Sequence, residues 1–180
     1  MCKFELTNMG IGIIGATMYR IRALRDFSDV KKGDLGGFIE RHDNLSHVGN
    51  CWISDDACVY EHAHVGECSL VSGNAKMKGS TWARASAHLY GNTHVCGQVT
   101  VAGNAQIFGD TCISGHILVS RDAQICNAWI HGDVWVSTNT GIVAAITGNS
   151  KIDHGVWTRL MRICNEWYLL SSTLEKILLG

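Results

Sequence analysis

From Ile53 to Ile125 every sixth residue is of a core type: Ile53, Val59, Val65, Val71, Met77, Ala83, Leu89, Val95, Val101, Ile107, Ile113, Val119 and Ile125. Four residues after each of the first twelve stands a second, mostly small residue: Ala57, Ala63, Ser69, Ala75, Thr81, Ala87, Thr93, Val99, Ala105, Thr111, Ile117 and Ala123. A chain that is 46% hydrophobic overall does not interlock two such series by chance. Six-residue self-similarity of this kind predicts a parallel β-helix, in which each hexad supplies one short strand and one turn. Three hexads close one triangular coil, so each residue stacks on the residue eighteen places later and successive coils rise by about 4.8 Å. The regular part then spans about four coils, roughly 19 Å of prism.

The corners agree with this reading. Gly73, Gly79, Gly91, Gly97, Gly103, Gly109 and Gly115 share one slot, and Asn74, Asn92, Asn104 and Asp110 follow in the next. Glycine and asparagine accept the left-handed backbone that tight corners require. Proline is absent, which suits strands that donate every backbone N–H to a neighbouring coil. After Ile125 the beat slips by one residue to Ile130, Val136 and Ile142, which predicts a last coil with a bulge or a tightened corner. The expected fold is all-β: a left-handed parallel β-helix of about five coils over 47–151. Residues 1–46 form an N-terminal β cap, and 152–180 form a C-terminal hairpin and short helix that protect the strand edges of the solenoid. In that last segment Ser172-Thr173-Leu174-Glu175 reads as a capping box.

A net charge of -1 removes any general pull toward nucleic acid or anionic membrane. The apolar stretch Met9 to Met18 is too short to span a bilayer and lacks the flanks of a signal peptide. Eight cysteines without a secretion signal predict reduced thiols in a cytoplasmic protein, and none forms a CxxC pair.

The run Arg20-Ile21-Arg22-Ala23-Leu24-Arg25-Asp26-Phe27 is followed by Val30, by Lys32-Gly33-Asp34-Leu35-Gly36-Gly37-Phe38-Ile39-Glu40, and then by Asn44-Leu45-Ser46 and Cys51-Trp52-Ile53. This segment resembles the opening of hexapeptide-repeat proteins frequent in bacteriophages and prophages. The likeness continues through the Gly-Asn-Ala repeats into His154-Gly155-Val156-Trp157-Thr158-Arg159. It implies a left-handed β-helix, often trimeric in related folds, made in an infected or lysogenic host. Bacterial relatives of that group bear the name acetyltransferase by analogy of fold, and no catalytic motif carries over onto residues of this chain.

The eighteen-residue register sorts the outward residues into three faces. The first bears Cys58 and Tyr60, Lys76 and Lys78, His94 and Cys96, then Cys112 and Ser114. Lys76, Lys78 and His94 suit the phosphates of an anionic ligand, with Tyr60 offering a ring for stacking; Cys96 and Cys112 complete this candidate binding face. His94, Cys96 and Cys112 also share a patch of metal-ligating types. A fourth ligand is missing and Lys76 opposes a cation, so no metal is expected.

The second face bears His64, Trp82, Thr100 and Leu118. The third carries Trp52, Leu70, His88, Tyr90 and Phe108, a large apolar surface expected to be an oligomer interface, with a trimer favoured for a triangular prism.

Two functions compete, and a third stands behind them. The first is a phage or prophage binding protein without catalytic residues or cofactor, which masks a host protein or sequesters a nucleotide-like ligand as counter-defence. The second is a hexapeptide-repeat acyltransferase using coenzyme A, with His64, His88 or His94 as base, or His62 or His116 at one corner edge. The uninterrupted hexads leave no protruding loop to cover a substrate, which favours the first. The third is a structural protein of the virion.

Overall fold

The computed structural model describes residues 2–13, 15–137, 141–142, 145–148, 150–152, 159–163 and 166–170. It is all-β: parallel strands stack as a solenoid, and the 3-10 turn His42–Asn44 is the one helical element among the described residues. On the first face Cys58 pairs with Lys76, Lys76 with His94, His94 with Cys112 and Cys112 with Trp129. On the second, His64 pairs with Trp82, Trp82 with Thr100, Thr100 with Leu118 and Leu118 with Trp135. The third face is a separate sheet of six strands, running from Trp52–Ile53 up to Gly141–Ile142.

The solenoid therefore has about six turns rather than the expected five, because the first coil lacks the hexad beat. Ile39 pairs with Val59 and Leu45 lies beside Val65, both at twenty residues, whereas Ile53 pairs with Val71 at eighteen. The two surplus residues fall in the loop 46–50, where Val48, Gly49 and Asn50 are exposed. The expected slip after Ile125 is a tightened corner. Cys112 and Trp129 pair at seventeen residues, and Asn127 takes a φ of 48° to make the shorter turn while its side-chain oxygen accepts the Asp110 N–H at 2.9 Å.

Inside the prism the hexad residues are fully buried, with Ile53, Val59, Met77, Leu89, Ile107 and Ile125 all at 0% exposure. The small slot accepts Ser or Thr because the hydroxyl folds back to the carbonyl three residues earlier. Ser69 donates to Gly66 O at 2.6 Å, Thr81 to Lys78 O at 2.7 Å and Thr111 to Phe108 O at 2.6 Å.

At the N-terminal end, β1 (Phe4–Ile13) and β2 (Ala16–Ala23) form an antiparallel hairpin, and β2 pairs antiparallel with β3 (Leu35–Ile39). β3 then pairs in parallel with Cys58–Val59, so the hairpin continues the first-face sheet beyond the coils and covers its edge. The pair Gly36-Gly37 in the family-like opening segment is explained by this contact. A Cβ on Gly36 would lie 2.5 Å from Ile53 O, and one on Gly37 2.5 Å from Ala57 O. Toward the C-terminus, Arg159–Ile163 and Glu166–Leu170 pair antiparallel as a two-stranded sheet. The expected final helix from Leu174 to Leu179 lies outside the described residues. No helix among the described residues is long and apolar enough to cross a membrane.

Candidate functional site

The corner between the first and second faces gathers polar residues in one column. Gln98, His116 and Asp133 are in register on successive coils, and His62 and Ser80 precede them at eighteen-residue steps. Beside this column runs the second-face row of His64, Trp82, Thr100, Leu118 and Trp135. Both columns follow from the repeat, since a strand alternates its side chains and the corner residue projects between two faces. The bend itself rests on Gly97, Gly115 and Gly132, whose φ angles are 98°, 119° and 111°.

Two grooves open along this edge. The upper one, about 410 Å³, is lined by Gln98, His116, Leu118, Asp133 and Trp135 among others. His116 Nδ1 lies 3.0 Å from Asp133 Oδ1. A carboxylate only accepts, so Nδ1 carries the proton and Nε2 is left as a proton acceptor. The carboxylate fixes the ring's tautomer, as an orienting group does for a general base. Both side chains are well exposed, at 66% and 62%, so the hydrogen bond adds little to stability.

The lower groove, about 310 Å³, lies against the first coil. It is lined by Arg41, which donates through Nε to Glu61 O at 2.8 Å and places Nη2 3.4 Å from His62 Nδ1. His64 meets the carbonyl of Asp43 through Nδ1 at 2.6 Å, and its ring lies 4.8 Å from that of Trp82, tilted by 41°. Trp82 and Trp135 are each 47% exposed, large apolar surfaces that border the two grooves.

The first-face candidates are arranged differently from the expectation. Lys76, His94 and Cys112 do form one column, with Tyr60, Lys78, Cys96 and Ser114 along the neighbouring row. Lys78 and His94 are exposed. Tyr60, expected to offer a free ring, is half-buried instead: it packs with Ile11 and Ile13 against Met18, Phe38 and Cys58 under the N-terminal hairpin. Burial raises the pKa of its hydroxyl, and burial likewise raises those of the Cys58 and Cys112 thiols, with Cys96 adding to the effect at Cys112. None of the grooves described here includes Lys76, Lys78 or His94. Among the described residues no group of three or more His, Cys, Asp or Glu side chains is placed to hold a metal ion.

On the third face Trp52 is a correction. It was expected to be exposed for assembly, but it is only 5% exposed, because Phe27 of the N-terminal segment meets its ring edge-on at 5.3 Å. Farther up, His88 lies 4.6 Å from Tyr90, and Tyr90 stacks on Phe108 at 5.0 Å with the rings 3° from parallel. These three are half-buried by one another, while Leu70 is exposed. Burial lowers the pKa of His88, which favours its neutral form. Another groove, about 410 Å³, lies where Leu35, Asn50, Ser54 and Leu70 meet the edge of Trp52.

Reading the residues one at a time missed Asp133, Trp135, Arg41 and Asp43. The signal for Asp133 was the one-residue slip: seventeen places after His116 the shortened coil brings a carboxylate onto the same corner. Arg41 and Asp43 belong to the first coil, where no hexad marks the register.

No family model matches the chain. Over 62 residues, 34% of the chain, it is 39% identical to a protein of Escherichia coli strain K12 named "Uncharacterized acetyltransferase YdcK". The matched stretch covers 18% of that relative, so the chain spans less than a fifth of its length. The relative's name and the stacked coils together fit a hexapeptide-repeat protein.

Proposed function

We propose that this protein works as a binding solenoid whose active surface is the corner edge from Arg41 and His62 up to His116, Asp133 and Trp135. The observation that carries this reading is the pairing of exposed Trp82 and Trp135 with hydrogen-bonding groups in open grooves along an unbroken run of coils. An indole face receives a planar ring, and Arg41 with the histidines offers donors to an anionic or carbonyl group beside it, which suits a nucleotide-like ligand or a host protein segment rich in aromatic residues. The resemblance of the opening segment to phage and prophage proteins supplies the biological setting: capture of a host protein or signal, without turnover. The test is tryptophan fluorescence of the purified protein titrated with a panel of mono- and dinucleotides, alongside Trp82→Ala and Trp135→Ala. Binding that is lost in either variant supports the reading. Unchanged binding in both, or an absence of binding to the panel and to host lysate proteins, removes it.

A second reading, transfer of an acyl group from coenzyme A, is favoured by the His116–Asp133 pair and by the name of the relative. Here His116 Nε2 takes the proton of an acceptor hydroxyl or amine as that atom attacks the thioester carbonyl, and Asp133 holds the ring. Release of free thiol from acetyl-coenzyme A in the presence of an acceptor panel, abolished by His116→Ala, would replace the first reading with this one.

A further inference from the structure

Lys3 is the least expected residue of the interior. Its side chain is fully buried, at 0% exposure, and no ion pair with a carboxylate involves it among the described residues. Its Nζ lies 2.8 Å from Cys51 O, 3.5 Å from Gly49 O and 3.0 Å from Cys51 Sγ, with the Phe27 ring centre 5.2 Å away. Cys51 is likewise at 0% exposure, and besides Lys3 its thiol meets Ser46 O at 3.5 Å and Val48 O at 3.6 Å. A buried ammonium with no carboxylate beside it is costly, and such burial shifts lysine toward its neutral form. Burial accordingly lowers the pKa of Lys3, partly offset by the hydrogen bond to Cys51. The neutral fraction of the amine has a lone pair, and the sulfur lies 3.0 Å from that nitrogen.

We infer that Lys3 and Cys51 form an oxidative modification site, in which a peroxide links Nζ to Sγ as a sulfenamide and ties the N-terminal segment to the first coil. In the first step the Cys51 sulfur attacks a peroxide oxygen, the O–O bond breaks, and the thiol proton joins the departing hydroxide, so that sulfenic acid and water form. In the second step the Lys3 lone pair attacks the same sulfur. The S–N bond forms, the S–O bond breaks, and the departing hydroxide leaves as water with one amine proton. One peroxide is reduced, the sulfur supplies both electrons, and the protein loses two hydrogens overall. The oxidant's path is the loop 46–50, which carries the two surplus residues of the first coil and whose Val48 is 78% exposed; local opening there uncovers Sγ without unfolding the coils. Dithiothreitol attacks the sulfur and restores both side chains.

The test uses the full-length wild-type protein, treated with hydrogen peroxide, alkylated, digested and sequenced by tandem mass spectrometry. The expected product is one peptide pair joined between Lys3 and Cys51, lighter than the sum of its parts by two hydrogens and separated again by dithiothreitol. Lys3→Arg keeps a long basic side chain at this position but has no nucleophilic amine, so it shows no joined pair and its Cys51 proceeds to sulfinic acid. Recovery of wild-type Cys51 as an alkylatable thiol, or as sulfinic acid with Lys3 free, overturns the inference. Because the readout is made on the wild-type chain, a variant that fails to fold does not obscure the result.

Discussion

At the scale of single residues, the corners explain most of what an unusual residue is doing. From residue 49 to residue 127 every sixth position has a left-handed φ, and several of these are not glycine: Asp55, Glu61, Glu67, Ala85, Arg121 and Asn127. Four of the six return something for the strain, Asn127 through the Asp110 N–H that its side-chain oxygen accepts. The carboxylates of Asp55, Glu61 and Glu67 accept the backbone N–H of Gly73, Gly79 and Ala85 one coil above, at 2.8, 2.8 and 2.9 Å. Ala85 has no such group to offer and keeps a φ of 58°. Ala85→Gly is expected to raise the unfolding free energy by about 0.5–1 kcal/mol, the left-handed penalty relieved less the entropy of glycine. Glu61→Ala is expected to lower it by about 1 kcal/mol through the orphaned Gly79 N–H, and urea titration of both variants checks the pair. His88 gives a pH dependence whose sign follows from burial. Its folded pKa is lowered, so below about pH 6.5 the unfolded chain takes up a proton that the folded one resists, and stability falls with pH until the folded pKa is passed. His47, lowered by burial and then by the charges of His42, Lys3 and the N-terminus, acts in the same direction. The urea midpoint should therefore drop between about pH 7 and pH 5, and less steeply in His88→Gln.

At the scale of elements, the unit is the column of eighteen-residue neighbours rather than the individual short strand. A strand of two residues such as His88–Leu89 has no stability of its own; Leu89 is held by Val71 below and Ile107 above. Ile107→Ala should cost about 2–5 kcal/mol, because a column packed on both sides cannot collapse into the cavity. Thr93 runs the other way. Its hydroxyl is buried without a hydrogen-bond partner, unlike those of Thr81 and Thr111, so Thr93→Val is expected to stabilise by about 1 kcal/mol. Thermal melting of the two variants should move in opposite directions. These columns were legible in the sequence, since they depend on a repeat that local backbone geometry enforces. The first coil was not, because its twenty-residue pitch leaves Ile39 and Leu45 off the beat of the later hexads and only their pairing with Val59 and Val65 shows them to be rungs.

At the scale of the whole molecule, what matters is which outward faces other parts of the chain have already covered. The N-terminal hairpin lies over Cys58 and Tyr60, Phe27 lies on Trp52, and among the described residues the corner edge from His62 to His116 borders open grooves. Thiol chemistry reads this coverage directly. In the folded protein Cys2 and Cys68, both exposed, should react with a thiol reagent within the mixing phase, while Cys51 and Cys58 react only as fast as the structure opens; equal rates for all four would contradict the packing. The amino-acid sequence by itself determined that a solenoid forms, which residues point inward, where the corners fall and where the coil tightens. Each of those properties repeats over a few neighbouring residues. Only the tertiary structure decided that Tyr60 and Trp52 are occupied, that Lys3 meets Cys51, and that His116 meets Asp133 beside Trp135. Those contacts join segments separated along the chain, and no local period encodes which of two outward residues a distant strand will cover.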